Sequence, residues 1–191
     1  MKFNTYIEYM NKIYTDSLFE TAVDNFIVDA KMAKRIFFIG NGGSASLASH
    51  FAQDINKATQ PSLKIFSIQR TTAISLCDNT AFITALANDD GYETIFTQQL
   101  EAHNFDPSHD LLFAISCSGN SKNVVNAIKY IPYELRQCVY IMTAFNGGEI
   151  CTLVSPHHHM HIHTNDIYTA ESLHSVLHHY IIIRLIEGYN D

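Results

Sequence analysis

Apolar residues recur at three- and four-residue intervals from Phe3 to Ala30, at Phe3, Ile7, Met10, Ile13, Tyr14, Leu18, Ala22, Val23, Phe26 and Ile27. The spacing predicts helix, and no Pro or Gly interrupts it, although Asp16-Ser17 is a point at which two helices would divide. The pattern then changes. Ile36-Phe37-Phe38-Ile39 is too short for a helix and rich in β-formers, which predicts a strand buried on both faces. Glycines follow at 40, 42 and 43, then a helical pattern from Ser44 and Ser46 through Leu47, Ala48, Phe51 and Ile55.

The same alternation continues along the chain. Further strands are predicted over Leu63–Ile68 after Pro61, Leu111–Ile115, Cys138–Thr143 and His159–His163. Helices are predicted over Thr71–Leu86, Tyr92–Ala102, Lys122–Tyr130, Glu149–Leu153 and Ala170–Glu187. Strands alternating with helices give a doubly wound α/β fold, a parallel sheet of about five strands covered on both faces. No composition break, repeat or linker divides residues 1–191, so one domain is expected, with 1–34 as a helical segment ahead of an α/β core at 35–191. That leading segment is longer than one small sheet needs, and a partner subunit is a plausible use for the surplus.

Composition narrows the classes. The chain is 47% hydrophobic and 16% charged, as in a packed globule. Its net charge of -7 and the lack of a Lys/Arg run argue against a direct nucleic-acid surface. Cys77, Cys117, Cys138 and Cys151 show no CxxC spacing and read as reduced thiols. With no signal-like N-terminus and no apolar stretch of about 18 residues, neither secretion nor membrane insertion is expected, and a cytoplasmic location is.

The chemistry gathers where strands give way to helices. A strand, a tight glycine turn and a helix N-terminus present unpaired N–H groups and the positive end of a dipole, which suits phosphate. Gly40-Asn41-Gly42-Gly43-Ser44 is one such turn, and Ser116-Cys117-Ser118-Gly119-Asn120-Ser121 is a second, both at carboxyl ends of predicted parallel strands. Gly40 to Ala45 also satisfies G-x-G-x-x-G/A, but the second predicted strand ends in Ile68-Gln69-Arg70, with no acidic residue to grip a ribose. No Gly-Lys-Ser/Thr follows the glycines, which excludes a P-loop. His50 and Asp54, at i and i+4, project from one helix face.

GNGGSAS after a strand, ALANDDGYETIFTQQLEA, and ISCSGNSKNV after another strand resemble the sugar isomerase (SIS) domains, specifically the phosphoheptose isomerases, over most of the chain. The resemblance implies a flavodoxin-like sheet, interconversion of sedoheptulose 7-phosphate and a heptose 7-phosphate, and a homotetramer whose N-terminal helices pack between subunits. Position by position it assigns Asn41, Gly42, Gly43 and Ser44, the pair Asn88 and Asp89, and Ser116, Cys117, Ser118 and Ser121 to the phosphosugar. It implies one Zn²⁺ per subunit on His50, Asp54, Glu171 and His179, with Asp54 and His179 as acid and base and Glu171 also at the substrate. Asp54 stands where the family has Glu, and Glu171 where it has Gln. The rival expectation is a non-enzymatic SIS protein, a sugar-phosphate sensor or a replication-initiator-associating assembly factor. His174 and His178 are expected to be packing or surface residues, and His157 to His163 part of a half-exposed strand.

Overall fold

The computed structural model describes residues 2–12, 18–58 and 71–187. Among them five strands form one all-parallel sheet in the order β2-β1-β3-β4-β5, with β1 Arg35–Gly40, β2 Thr72–Ser75, β3 Asp110–Ile115, β4 Val139–Thr143 and β5 His159–His161. Strand order reverses between β1 and β3, where Gly40 lies in register with Ile115. The two turns that follow these strands are therefore neighbours at the switch point, where open α/β sheets bind ligands.

The helices are α1 Phe3–Met10, α2 Phe19–Met32, α3 Gly43–Ala58, α4 Thr80–Asp89, α5 Ile95–Ala102, α6 Lys122–Tyr130 and α7 Ile167–Glu187. α2, α3 and α7 cover one face, and α5 and α6 pack together on the other. Alternation along β1 assigns its aromatics to both faces. Phe38 meets Phe51 of α3 and Phe113 of β3, and Phe26 of α2 closes that cluster against Phe113 and Tyr140. Phe37 packs on the opposite side against Phe105 and His103.

Where the structure departs from the pattern reading, the causes are physical. The predicted strand Leu63–Ile68 lies outside the described residues; among those described, the edge strand is Thr72–Ser75, inside what reads as the start of a helix. An edge strand this short is buried on one side only, so Thr-Ala-Ile-Ser carries too little apolar signal to be told from a helix start. The N-terminal pattern gives two helices, as a division at Asp16-Ser17 allows, with residues 13–17 outside the described residues: α2 buries Phe19, Ala22, Val23, Phe26, Ile27 and Ala30 as a core helix, whereas α1 buries nothing. His161 is buried together with Met160 and Ile162, so β5 is not half exposed. Among the described residues no helix is long and apolar enough to cross a membrane.

Candidate functional site

The two turns at the switch point are tied to each other. Asn41 and Asn123 exchange amide hydrogen bonds of 2.9 and 2.8 Å, and Tyr92 donates to Asn41 Oδ1 at 2.9 Å. Asn41 is thus the strut between the first turn and α6, and Tyr92 fixes the segment beyond Asn88 and Asp89 against it. Asn88 and Asp89 are exposed and share a 2.7 Å hydrogen bond.

The second turn largely satisfies itself. Ser116 Oγ accepts from Gly119 N at 3.2 Å and Ser118 Oγ from Asn120 N at 3.3 Å. Ser121 stands at the N-cap of α6 and its hydroxyl makes no cap hydrogen bond. Cys117 turns inward, 3.8 Å from His174 Nδ1, and its thiol is pushed up to about 11, first by burial and then by the charge of Glu171. The thiol is therefore protonated at physiological pH. Cys77, Cys117, Cys138 and Cys151 are all free thiols.

His174 is locked by its other nitrogen, Nε2, on the Thr143 carbonyl at 3.1 Å, and is fully enclosed. Burial lowers it from the usual 6.5 to about 4. Below pH 6.5 the unfolded chain takes up a proton that the folded chain refuses, so stability falls as pH falls towards 4. The expected loss is roughly 3 kcal/mol across that window. Denaturant titrations at stepped pH should show a steeper slope in the wild type than in His174→Gln, where His178, lowered to about 4 as well, still contributes; parallel slopes would refute it.

A second centre lies further along α3. At i and i+4, His50 and Asp54 face α7, and there Asp54 Oδ2 is approached by three imidazoles: His178 Nε2 at 3.0 Å, His50 Nε2 at 3.3 Å and His179 Nε2 at 4.0 Å. One ligand atom from each of the four residues lies within 4.8 Å of all the others. His178 is completely buried, while His50 and His179 open to solvent. Both ring nitrogens of His178 are buried without a hydrogen bond, despite the close approach to Asp54. Burial first, then the neighbouring His179 and His50, lowers His178 to about 4, so it is neutral at physiological pH. A neutral buried imidazole whose polar neighbours are a carboxylate 3.0 Å away and two more imidazoles fits a tetrahedral divalent ion such as Zn²⁺.

The structure brings together His50, Asp54 and His179 from the expected ligand set. Glu171 does not join them, and His178, expected only to pack, stands in its place. Helix geometry gives the reason. α3 and α7 run parallel, with Glu171 beside Gly43 and His178 beside His50, so Glu171 sits seven residues, about 10 Å, up the helix axis from the centre. A signal for His178 exists in the sequence: it lies on the stripe Ala170, His174, Leu177, His178, Ile181, Ile182, Leu185 that α7 buries. A histidine on a buried stripe, followed directly by another, needs a partner.

Comparison with known proteins identifies relatives of the chain. A family model described as "SIS domain" matches residues 3–132. The phosphoheptose isomerase of Helicobacter hepaticus (strain ATCC 51449 / 3B1) is 30% identical over 188 residues, 98% of this chain and 90% of its own length. That of Mycobacterium tuberculosis (strain CDC 1551 / Oshkosh) is 39% identical over 127 residues, 66% of this chain, and the match spans only 61% of the mycobacterial protein. Among solved structures, a phosphoheptose isomerase from Francisella tularensis superposes with a TM-score of 0.76 at 20% identity, covering 96% of each chain. Phosphoheptose isomerase GmhA from Neisseria gonorrhoeae gives 0.72 at 24%, covering 95% of this chain and 91% of its own.

Proposed function

The chain belongs to the SIS domain family, and from that premise we propose that it is a sugar-phosphate isomerase interconverting sedoheptulose 7-phosphate and a heptose 7-phosphate. The observation that carries this reading is the quartet His50, Asp54, His178 and His179, about 10 Å along α3 from the glycine turn that opens that helix. An extended seven-carbon sugar bridges such a gap, with its phosphate at the turns and its carbonyl end at the quartet.

In this reading Ser116, Cys117, Ser118 and Ser121 form the phosphate loop, helped by the dipole of α6, and Asn41, Gly42, Gly43, Ser44, Asn88 and Asp89 line the sugar. His50, Asp54, His178 and His179 would hold one Zn²⁺, whose charge would stabilise negative charge developing on the substrate's oxygen. Asp54 and His179 would move the proton between neighbouring carbons, each only while the atom that carries the proton is off the ion, and His179, at the open edge, is the more accessible of the two. The protein works in the cytoplasm as a homotetramer, and α1, which buries no residue within its own chain, packs between subunits.

The test uses the purified full chain. Zinc is measured by atomic absorption, and conversion of sedoheptulose 7-phosphate is followed by NMR before and after chelation. About one zinc per chain and a turnover that chelation abolishes and zinc restores are expected. Binding of the sugar phosphate by zinc-loaded protein without conversion would instead identify a sensor.

A further inference from the structure

Three of the segments assigned to the phosphosugar meet at a single amide, that of Asn41. Asn123, only 2% exposed at the start of α6, sets its orientation. Asn123 Oδ1 accepts from Val124 N at 3.0 Å, one of the first-turn N–H groups that a helix leaves without a partner, so the oxygen is fixed on that side. Asn123 Nδ2 therefore donates to Asn41 Oδ1 at 2.8 Å, and Asn41 Nδ2 returns a bond of 2.9 Å to Asn123 Oδ1. Tyr92 supplies the third bond, donating to Asn41 Oδ1 at 2.9 Å. Both lone pairs of that oxygen are then taken, and one N–H of the Asn41 side chain remains for a ligand.

Tyr92 is the member of this junction whose purpose packing does not explain. Its ring is 53% exposed, so water would serve Asn41 Oδ1 about as well and the bond adds little to stability. Water would not tie two chain segments together. Gly91, at φ +96°, turns the chain between Asp90, which caps α4, and the short turn Tyr92–Thr94. Thr94 closes that turn on the Gly91 carbonyl, through its N–H at 3.1 Å and its hydroxyl at 2.9 Å. Asn126 of α6 holds the far side by donating to the Glu93 carbonyl at 3.1 Å. Asn88 and Asp89, the last two residues of α4, go where this turn goes.

We propose that Tyr92 is a positioning residue for the isomerase: its hydroxyl, acting through Asn41, holds Asn88 and Asp89 against the glycine turn and so sets how tightly the phosphosugar is gripped. The reacting carbons lie elsewhere, at the quartet about 10 Å along α3 from that turn. The bond therefore strengthens binding of substrate and transition state alike and leaves the chemical step unaltered.

The inference rests on the isomerase reading, and its test separates the two. Tyr92→Phe removes one hydroxyl from an exposed ring. KM for sedoheptulose 7-phosphate should rise about fivefold, the scale of one hydrogen bond, while kcat, zinc content and Tm stay at their wild-type values. Because the hydroxyl acts through Asn41, adding Tyr92→Phe to Asn41→Ala should raise KM no further. An unchanged KM in Tyr92→Phe, or a loss confined to kcat, would overturn the assignment. Losses that multiply in the double variant would overturn it too, since the hydroxyl would then touch the sugar itself. If Asn41→Ala does not fold, the split between KM and kcat in Tyr92→Phe still decides. Calorimetric Kd values for sedoheptulose 7-phosphate give the same comparison in a protein that binds the sugar without converting it. A fivefold weaker Kd in Tyr92→Phe would then uphold the positioning role while the isomerase reading falls, and equal Kd values beside normal wild-type turnover would do the reverse.

Discussion

His178→Ala is expected to strip the protein of zinc affinity by more than a hundredfold and to remove isomerase turnover with it. His178 is the enclosed member of the quartet, 3.0 Å from Asp54, and neither of its nitrogens has a hydrogen bond to give up when an ion arrives. Loss of a group that merely supports a metal ligand costs about 10–100-fold, and removal of a ligand exceeds that. The same truncation opens a cavity beside Phe51, whose ring centre lies 4.7 Å from the imidazole. Stability alone is therefore ambiguous, and the decisive measurement is competitive zinc titration of folded variant against folded wild type. His174→Ala, four residues earlier on the same buried stripe, supplies the control: its stability drops while zinc affinity holds. Should the two variants lose zinc alike, or His178→Ala retain it, the quartet is not a metal centre.

The parts of the molecule legible in sequence are those where one physical requirement dominates. Ile36 to Ile39, Leu111 to Ile115 and Val139 to Thr143 are buried on both faces, so their residues must be continuously apolar and no other element fits runs that short. Both glycine- and serine-rich turns were legible for the same reason, since each follows such a strand. Thr72–Ser75 was not, because an edge strand of four residues satisfies its partner with backbone groups that any side chain carries. The site divides in the same way. His50 and Asp54 share a face by local spacing alone. Choosing among His174, His178 and His179, or between Glu171 and His178, depends on how α7 is rotated and slid against α3, and that is set by packing of the whole face. Glu171 and His179, eight residues apart and about 12 Å along the axis, match a spacing carried over from relatives but sit at different levels of this helix.

Gly119→Ala should be the most damaging of the glycine substitutions at the mouth, and comparison with Gly42→Ala shows why. Both positions have positive φ, +65° and +56°, so either alanine incurs left-handed strain of roughly 1–2 kcal/mol. At Gly42 nothing lies within 4 Å of an added Cβ, and strain is the whole cost. At Gly119 the Cβ would collide with the Gly147 carbonyl, where the second turn interlocks with the turn after β4. That interlock is also bonded: Ile150 N donates to Gly119 O at 3.1 Å, Glu149 N to Asn120 Oδ1 at 2.9 Å and Ala144 N to Cys117 O at 2.9 Å. Backbone atoms on both sides leave no flexible side chain to yield, so the two turns must separate and these bonds stretch together. A net cost of about 4 kcal/mol corresponds to a fall in Tm on the order of 10 °C for a chain of this length, against about 4 °C for Gly42→Ala. Because Ser118 and Ser121 ride on the displaced turn, phosphosugar affinity should drop more than tenfold in Gly119→Ala at a temperature where it remains folded. Calorimetric melts and binding isotherms on the two variants test this together, and equal effects at positions 42 and 119 would mean that the interlock does not hold the phosphate loop in place.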